Sequence, residues 1–434
     1  MSERTLDVFV NDRKIGALGE SGDVWRFEYD PAWAEAEDGF DLSPALARSM
    51  LSHTDGASIR PVQWYFDNLL PEEGLRTVLS KEAGIAQADA FGLLAYFGAE
   101  SAGSLVLRPP GRPAAAKAGL RELPDPILQQ RIVDLPRLSL THDAPKHMSL
   151  AGAQHKLPVI YRHEKLYEPE PGEISTHILK PNHQGEDYPG SVINEYFVMR
   201  LAEAIGLNVP KVHRHYCPSA VYIVDRFDRI ERNGSMQRLH MIDACQLLNK
   251  ARNFKYAEAN VETLAQAIGH VRTRTPARLW LFQWLLFNAL TGNSDNHLKN
   301  ISFMVSADGI GISPGYDLLS TAVYTTTAFA QGRATWPDTA LALPLPGART
   351  YSEITRLAVL EAGHILGLNQ ATARRELDRM VRGFIAEADK LIAAIAAENA
   401  QLPNAVRPAL GGEMRVLRAI RHVVIEEMVK KLKP

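Results

Sequence analysis

Pro276-Ala-Arg-Leu-Trp-Leu-Phe-Gln-Trp-Leu-Leu-Phe-Asn-Ala-Leu-Thr291, running into Gly292-Asn-Ser-Asp295-Asn-His297-Leu-Lys299-Asn300, is the stretch from which the fold can be read. The first part predicts a helix with Thr275 as N-cap, Pro276 at the first helical position and Gly292 just past its end. It is apolar on nearly every face, so it is expected to be the buried spine of a domain. The polar segment after it leads into a strand, Ile301-Ser-Phe-Met-Val305, an Asp308-Gly309 turn and a short return, Ile310-Gly-Ile312. Tyr316-Asp317 follows the hairpin. Polar residues wedged between a buried helix and a hairpin, with a second Asp beyond it, form a constellation rather than a surface loop.

That constellation suggests phosphoryl transfer. The reaction asks for a carboxylate to accept a hydroxyl proton and for ligands to Mg²⁺ at the phosphates. Protein kinases place an Asn five residues after the catalytic Asp and a further metal-binding Asp after a hairpin. Asp295, Asn300 and Asp317 stand in that order and spacing. Taken alone, the segment also reads as an Asx-rich turn capping helix and strand.

Composition narrows the class. The chain has 434 residues, too many for one ordinary core, with 46% apolar and 23% charged residues. A formal charge of -2 argues against a freestanding nucleic-acid binder. Cys217 and Cys245 give neither a disulfide framework nor zinc spacing and read as buried thiols. The N-terminus lacks a signal-peptide layout, and the longest apolar run falls short of the roughly 20 residues that span a bilayer. A cytoplasmic protein without membrane contact is expected.

Along the chain, residues 5–29 read as three strands turning at Asn11-Asp12, residues 62–97 as helical, and Ser104–Leu107 as a strand. A Pro/Ala-rich connection follows at 108–119. Ser149-Leu-Ala-Gly152-Ala-Gln-His-Lys156 precedes another strand; its small residues would let backbone N–H groups approach phosphates, or simply make a hairpin turn. Thr176–Lys180 reads as a strand ending in a lysine, whose default is solvent. Val192–Gly206 reads as a helix capped by Ser191, with Glu195 on a partly apolar face where Lys180 is its natural partner. Ala220–Arg229 is an apolar strand breaking into charge, which offers its backbone to an adenine ring or merely leaves the core. Helices are expected at His240–Leu248, Thr263–Val271, Tyr351–Gly367, 371–400 and Glu413–Lys431, and a loop at Thr335–Arg349.

Small-residue loop, strand lysine, helix glutamate, apolar strand, Asp-to-Asn pair and late Asp together follow the order of a kinase. The chain resembles the HipA family, serine/threonine protein kinase toxins of bacterial type II toxin–antitoxin pairs. The resemblance rests on Phe66-Asp-Asn-Leu-Leu-Pro71, Ser149-Leu-Ala-Gly-Ala-Gln154 with Lys156, His177-Ile-Leu-Lys180, Asn194-Glu-Tyr196, Arg226-Phe-Asp-Arg229, Asp295-Asn-His-Leu-Lys-Asn300 and Tyr316-Asp317. It implies an α+β fold: a bilobed protein-kinase-like (phosphoinositide-kinase-like) core with an N-terminal β-rich small domain and an all-α C-terminal lobe. The expected divisions are 1–108, a linker with a connecting strand at 109–145, an N-lobe part at 146–230 and a helical C-lobe at 231–434.

The resemblance also implies roles. Asp295 is the catalytic residue, Asn300 and Asp317 hold Mg²⁺, and Lys180 contacts the ATP phosphates. Ala151, Gly152, Ala153, Gln154, His155 and Lys156 form the phosphate loop. Backbone groups of Asp225 and Phe227 take the adenine in the Asp225-Arg226-Phe227 segment, and Asp228 lies near the ribose. His297, Lys299 and Tyr316 line the site, Glu195 positions, and Ser149 is autophosphorylated. The implied cofactors are ATP and Mg²⁺. The implied partners are a small helix-turn-helix, HipB-like antitoxin, through it operator DNA, and a protein substrate such as an aminoacyl-tRNA synthetase, whose loss of function arrests growth and gives persistence. Two alternatives remain open: a small-molecule or lipid phosphotransferase with the same core, and a catalytically silent partner of a DNA-binding repressor.

Overall fold

Alternation in the first strand, Arg4–Val10, places Leu6, Val8 and Val10 on one buried face. Asn11, at φ 52°, turns the chain into Arg13–Ser21, and Val24–Tyr29 follows. In the computed structural model, which describes residues 3–112, 119–146, 148, 151–152 and 154–434, these strands form an antiparallel sheet. Its order is Ser52–Thr54, Val24–Tyr29, Arg13–Ser21, Arg4–Val10, Leu105–Arg108. The helical stretch expected at 62–97 divides into Pro61–Asp67, Glu73–Ala83 and Ala90–Phe97. The first and third of these cover the sheet by aromatic contact, Phe66 against Phe27 (5.7 Å) and Phe91 edge-on to Trp25 (5.3 Å).

The chain separates into two units, and the first is built from 1–180, 225–255 and 302–313. Besides the N-terminal sheet it contains the antiparallel series His177–Pro181, Leu157–Arg162, Lys165–Pro169 and Leu120–Glu122. A third sheet joins His240–Asp243, Ser302–Ser306 and Gly309–Ile312. His240–Leu248, expected as a helix, is therefore a strand followed by the short helix Ala244–Leu247. Pairing of His240 with Val305 and Ile242 with Phe303 overrides local propensity. The Asp243 side chain then starts the helix by accepting from the Gln246 N–H, in a capping box.

The second unit comprises 181–224, 256–301 and 314–434 and is predominantly helical. Its spine is Arg274–Thr291, with Trp284, Phe282, Phe287 and Leu290 fully buried. This helix starts ahead of the expected position, with Thr273 as N-cap. Pro276 is tolerated inside the first turn, where backbone N–H groups have no intrahelical acceptor in any case. Ser191–Ala204 likewise starts at Ser191, with left-handed Gly190 as its cap. The first-turn N–H of Val192 is satisfied by Asn182 Oδ1 at 2.9 Å, while Ser191 Oγ accepts from His183 N. Arg356–Ile365 is shorter than expected because Tyr351–Glu353 is a separate 3₁₀ turn. Gln370–Ala400 follows the expected stripe, with Met380, Phe384, Leu391 and Ile395 buried. The last helix is three pieces: Arg407–Ala419, a π-helical stretch Ile420–Ile425, and Glu426–Leu432. The loop expected at 335–349 holds an antiparallel pair, Ala340–Leu345 with Ala348–Thr350. Cys217 and Cys245 are buried thiols outside any disulfide, as expected. No helix among the described residues is long and apolar enough to cross a membrane. The α+β class read from the sequence holds.

Gly292 ends the spine in the left-handed region at φ 68°, and an added Cβ would lie 2.5 Å from Val424 Cγ1. Gly234, at φ 74°, has nothing within 4 Å of its Cβ position. Gly234→Ala therefore measures the backbone cost alone, about 1–2 kcal/mol. Gly292→Ala adds overpacking of roughly 1–3 kcal/mol, so urea unfolding should show a clearly larger loss for Gly292→Ala. Equal losses would mean that the π-helical stretch yields freely.

His240 is 3% exposed, stacked on Phe40 at 4.8 Å, and within reach of Tyr65 Oη (3.2 Å), Ser104 Oγ (3.0 Å) and Leu42 O (3.2 Å). Burial pushes its pKa down to about 4 from 6.5, so the folded chain holds it neutral. The unfolded chain takes up the proton first, and the resulting stability is present above pH 6.5 and lost as pH falls towards about 4. From pH 6.5 to 5 wild type should lose roughly 2 kcal/mol from this group. His240→Gln should flatten that slope in urea titrations; an unchanged slope would assign the acid sensitivity elsewhere.

Candidate active site

The spine delivers the chain into a segment that is buried yet polar: Asn293, Asn296, His297, Lys299 and Asn300 are each less than 9% exposed. Backbone geometry is pinned from several directions. Asn293 Nδ2 donates to Asn288 Oδ1 (2.7 Å), and Asn293 Oδ1 accepts from the Asp295 N–H (3.1 Å). The Ser294 N–H donates to Thr321 Oγ1 (2.6 Å). Asn300 Nδ2 reaches back to the Asp295 carbonyl at 2.9 Å, so the Asp-to-Asn spacing closes a loop on itself. A 3₁₀ turn, Leu298–Asn300, sets that closure. Tyr316 Oη donates to the Lys299 carbonyl at 2.8 Å, bringing the Tyr316-Asp317 segment against it. Asp317 sits at φ 57°, a left-handed conformation that a non-glycine residue adopts at a cost of about 1–3 kcal/mol. Asp295, His297, Lys299, Asn300, Tyr316 and Asp317 thus all lie in the second unit. Glu195 is in this unit too, on Ser191–Ala204 and 3% exposed.

The other expected residues belong to the first unit. Lys180, near the end of His177–Pro181, is 7% exposed, so the solvent-facing alternative falls. In the loop, Gly152 has φ 107°, its carbonyl accepts from the Glu72 N–H (3.2 Å), and Lys156 Nζ donates to the Ala151 carbonyl (2.5 Å). Gln154 and His155 are half-buried. Ser149 and Ala153 lie outside the described residues.

After Ala220–Asp225 the side chains alternate. Asp225 and Phe227 are half-buried, and Asp225 Oδ1 lies 3.2 Å from His177 Nε2. Arg226 and Asp228 turn inward, 6% and 4% exposed, so the charged end of this strand does not leave the core. The Asp228 carboxylate, expected near the ribose, accepts from Arg226 (2.7 and 2.9 Å) and from the Gly103 N–H (2.7 Å). Arg226 and Arg229 reach on to Glu100, which also pairs with Lys146 (2.6 Å) and accepts from Ser175. Burial would raise the Glu100 carboxyl, but Lys146, Arg229, Arg226 and Arg238 hold it well below the usual carboxylate range. Burial also lowers Arg229, to about 10, and neighbouring Arg226 adds to this. This buried ionic cluster fixes the strand end from which the Asp225 and Phe227 backbones project.

Sequence reasoning missed two groups. Tyr256 Oη donates to Asp295 Oδ1 at 2.5 Å, and its ring stands edge-on to His297 at 4.8 Å. Lys255 is buried and pairs with Glu72 (2.6 Å) and Glu73 (3.1 Å). Burial works against its charge, but the two carboxylates hold its pKa above the usual value. Neither residue stands in a motif, so only the fold reveals them.

Residues 148–388 match the HipA-like C-terminal domain, and residues 6–108 the HipA N-terminal domain. The putative kinase Y4mE of Sinorhizobium fredii is 35% identical over 339 residues, covering 75% of this chain and 79% of that protein. The serine/threonine-protein kinase toxin HipA of Shewanella oneidensis is 30% identical over 348 residues, covering 74% and 76%. Among solved structures, HipA of Shewanella oneidensis in complex with HipB and operator DNA matches with a TM-score of 0.76 and 26% identity, over 98% of this chain and 99% of that one. With both of its parts matched and the fold shared from end to end, this chain belongs to the HipA family of kinase toxins.

Proposed function

We propose that this chain is a serine/threonine protein kinase that transfers the γ-phosphate of ATP to a protein hydroxyl and thereby acts as a growth-arresting toxin. The observation that carries the reading is the oxygen-rich set Asp295, Asn300 and Asp317, held by a closed hydrogen-bonded loop in the second unit. Carboxylate and amide oxygens suit Mg²⁺, a hard cation, and family membership supports the kinase assignment.

In this reading Asp295 orients the acceptor hydroxyl and takes its proton at a carboxylate oxygen. Asn300 and Asp317 supply oxygen ligands, and Mg²⁺ when bound neutralises charge on the phosphates. Lys180 and the loop 151–156, with Gly152 left-handed, would meet the phosphates as cation and backbone donors. The Asp225 and Phe227 backbones would take the adenine. The interior placement of the Arg226 and Asp228 side chains supports a bracing role for them behind that strand. Glu195, buried, would serve as a positioning carboxylate.

A HipB-like antitoxin and operator DNA are inferred as partners from the assembly in which the Shewanella protein was solved. The substrate would be a component of translation in the cytoplasm, an aminoacyl-tRNA synthetase being the family-based candidate. Ser149 would be an autophosphorylation switch: a phosphate adds about -1.5 to -2 charges beside a loop meant for ATP's own phosphates.

Asp295→Ala should abolish transfer and toxicity while leaving the melting temperature within a few degrees of wild type. Induced expression of both forms, with phosphosite mapping after incubation with ATP and Mg²⁺, checks this. Growth arrest and Ser149 phosphate should appear only in wild type; equal toxicity of the two forms sinks the kinase-toxin reading.

Ground-state binding is tested separately. Lys180→Ala should weaken ATP binding on the order of tenfold, the loss of one charge-assisted contact. Asn300→Ala and Asp317→Ala should each blunt the Mg²⁺ dependence of that binding. Calorimetric titration decides, and unchanged affinity in all three variants would place the nucleotide elsewhere.

A further inference from the structure

Glu100 belongs to the stretch 6–108 that matches the HipA N-terminal domain, whereas the C-terminal match begins at residue 148. Its side chain is 0% exposed. Oε2 accepts from Lys146 Nζ at 2.6 Å. Oε1 pairs with Arg226 (3.3 Å) and Arg229 (3.1 Å) and accepts from Ser175 Oγ. Burial opposes the charge on Glu100, and the cations around it hold it. A carboxylate out of water demands such partners, and each partner is fixed by it in return.

These partners sit on three separate stretches of chain, and each stretch leads into an expected nucleotide contact. Lys146 lies just ahead of the loop 151–156, and Met148, between them, bridges Gly98. Ser175 lies just ahead of His177–Pro181, the strand that carries Lys180. Arg226 stands between Asp225 and Phe227, and its backbone N–H donates to the Thr176 carbonyl (2.9 Å). The backbone beside Glu100 repeats the hold. The Ser101 carbonyl accepts from Arg226 (2.9 Å), the Gly103 N–H donates to Asp228 (2.7 Å), and the Gly103 carbonyl accepts from Arg229 (2.9 Å). All of these groups lie in the first unit. Apolar residues in place of a buried ionic cluster are often neutral or stabilising, so what the charges contribute here is a defined geometry.

We propose that Glu100 is a positioning residue for nucleotide binding: the N-terminal domain supplies the anion that sets the phosphate loop, the Lys180 strand and the adenine-facing backbone in register with one another. This rests on the kinase reading and deepens it, since it makes the N-terminal domain part of the support of the ATP site. Being fully buried, Glu100 touches no nucleotide and acts through Lys146, Ser175 and Arg226. Its loss therefore registers in ATP affinity, while the rate at saturating ATP rests on Asp295, Asn300 and Asp317.

Glu100→Gln keeps the shape and removes the charge. Below its unfolding transition, its ATP–Mg²⁺ affinity by calorimetry should fall roughly ten- to fiftyfold. In transfer from labelled ATP, into the chain itself and into a mixed serine/threonine peptide library, KM for ATP should rise by that factor while kcat stays within about twofold. Ser175→Ala strands no charge and should weaken ATP binding about threefold or more; it decides the matter if Glu100→Gln does not fold. Leu18→Ala removes a fully buried side chain of the N-terminal sheet and none of these contacts. It should lower the melting temperature and leave ATP affinity unchanged. Unchanged affinity in the folded Glu100 variant, or in Ser175→Ala, overturns the proposal. An equal loss of affinity in Leu18→Ala also overturns it, because affinity would then follow stability alone. So does a fall in kcat as large as the rise in KM, or without one. If wild type binds no ATP, the kinase reading fails and this inference falls with it; if wild type binds and transfers while the variants bind equally well, only this inference fails.

Discussion

A buried helix that stops inside a protein leaves its last carbonyls without intrahelical donors, and the second unit is organised around meeting that demand. The spine Arg274–Thr291 ends in the core, where water cannot serve. Asn288 Nδ2 and Thr291 Oγ1 turn back onto the carbonyls of Trp284 (2.8 Å) and Phe287 (2.9 Å). The Gly292 and Asn293 N–H groups take the Asn288 carbonyl, and Gly292's own carbonyl accepts from Ala322 (2.9 Å). Left-handed Gly292 makes the reversal possible in space bounded by Val424 and Ala322. Asp295 inherits its place from this arrangement, because Asn293 links the helix end to the Asp295 N–H.

The first unit meets a different constraint. It encloses charge, with Glu100, Lys146, Arg226, Asp228 and Arg229 all below 10% exposure. Desolvating so many ions is costly, and it is tolerable only where nearly every donor has an acceptor. Arg226 illustrates the economy of the solution: it donates to Asp228, Glu100, Ser175 and the Ser101 carbonyl. Such a cluster adds little net stability, but it admits one geometry, and here that geometry sets the register of the strand end at Asp225.

What the sequence disclosed follows the same physics. The spine was legible because an all-round apolar stretch between Pro and Gly has few alternatives, and the polar segment because Asp295 and Asn300 are local in sequence. Strands with clear alternation, such as Arg4–Val10, were legible for the same reason. His240–Asp243 was not, since its strand state depends on pairing with Ser302–Ser306, some sixty positions away. The Arg226–Arg229 charges looked like a strand leaving the core because their partners, Glu100, Lys146 and Ser175, are distant in the chain. Tyr256 carried no signal at all: a tyrosine in an irregular segment announces nothing until the fold sets it beside Asp295.

The balance of local costs also bears on whether such a site could be a relic. Asp317 is held left-handed, which glycine would do without strain, and five polar residues between Asn293 and Asn300 are buried where apolar ones would pack more cheaply. A catalytically silent partner would gain from relaxing the strain at 317. The caps at Asn288, Thr291 and Asn293 complete the helix end, and the amide at 300 closes the loop on the Asp295 carbonyl. Backbone strain and concentrated buried polarity are expected where chemistry sustains them. On that ground the kinase reading accounts for more of the molecule than the silent one, since it explains both the residues that stabilise the fold and those that burden it.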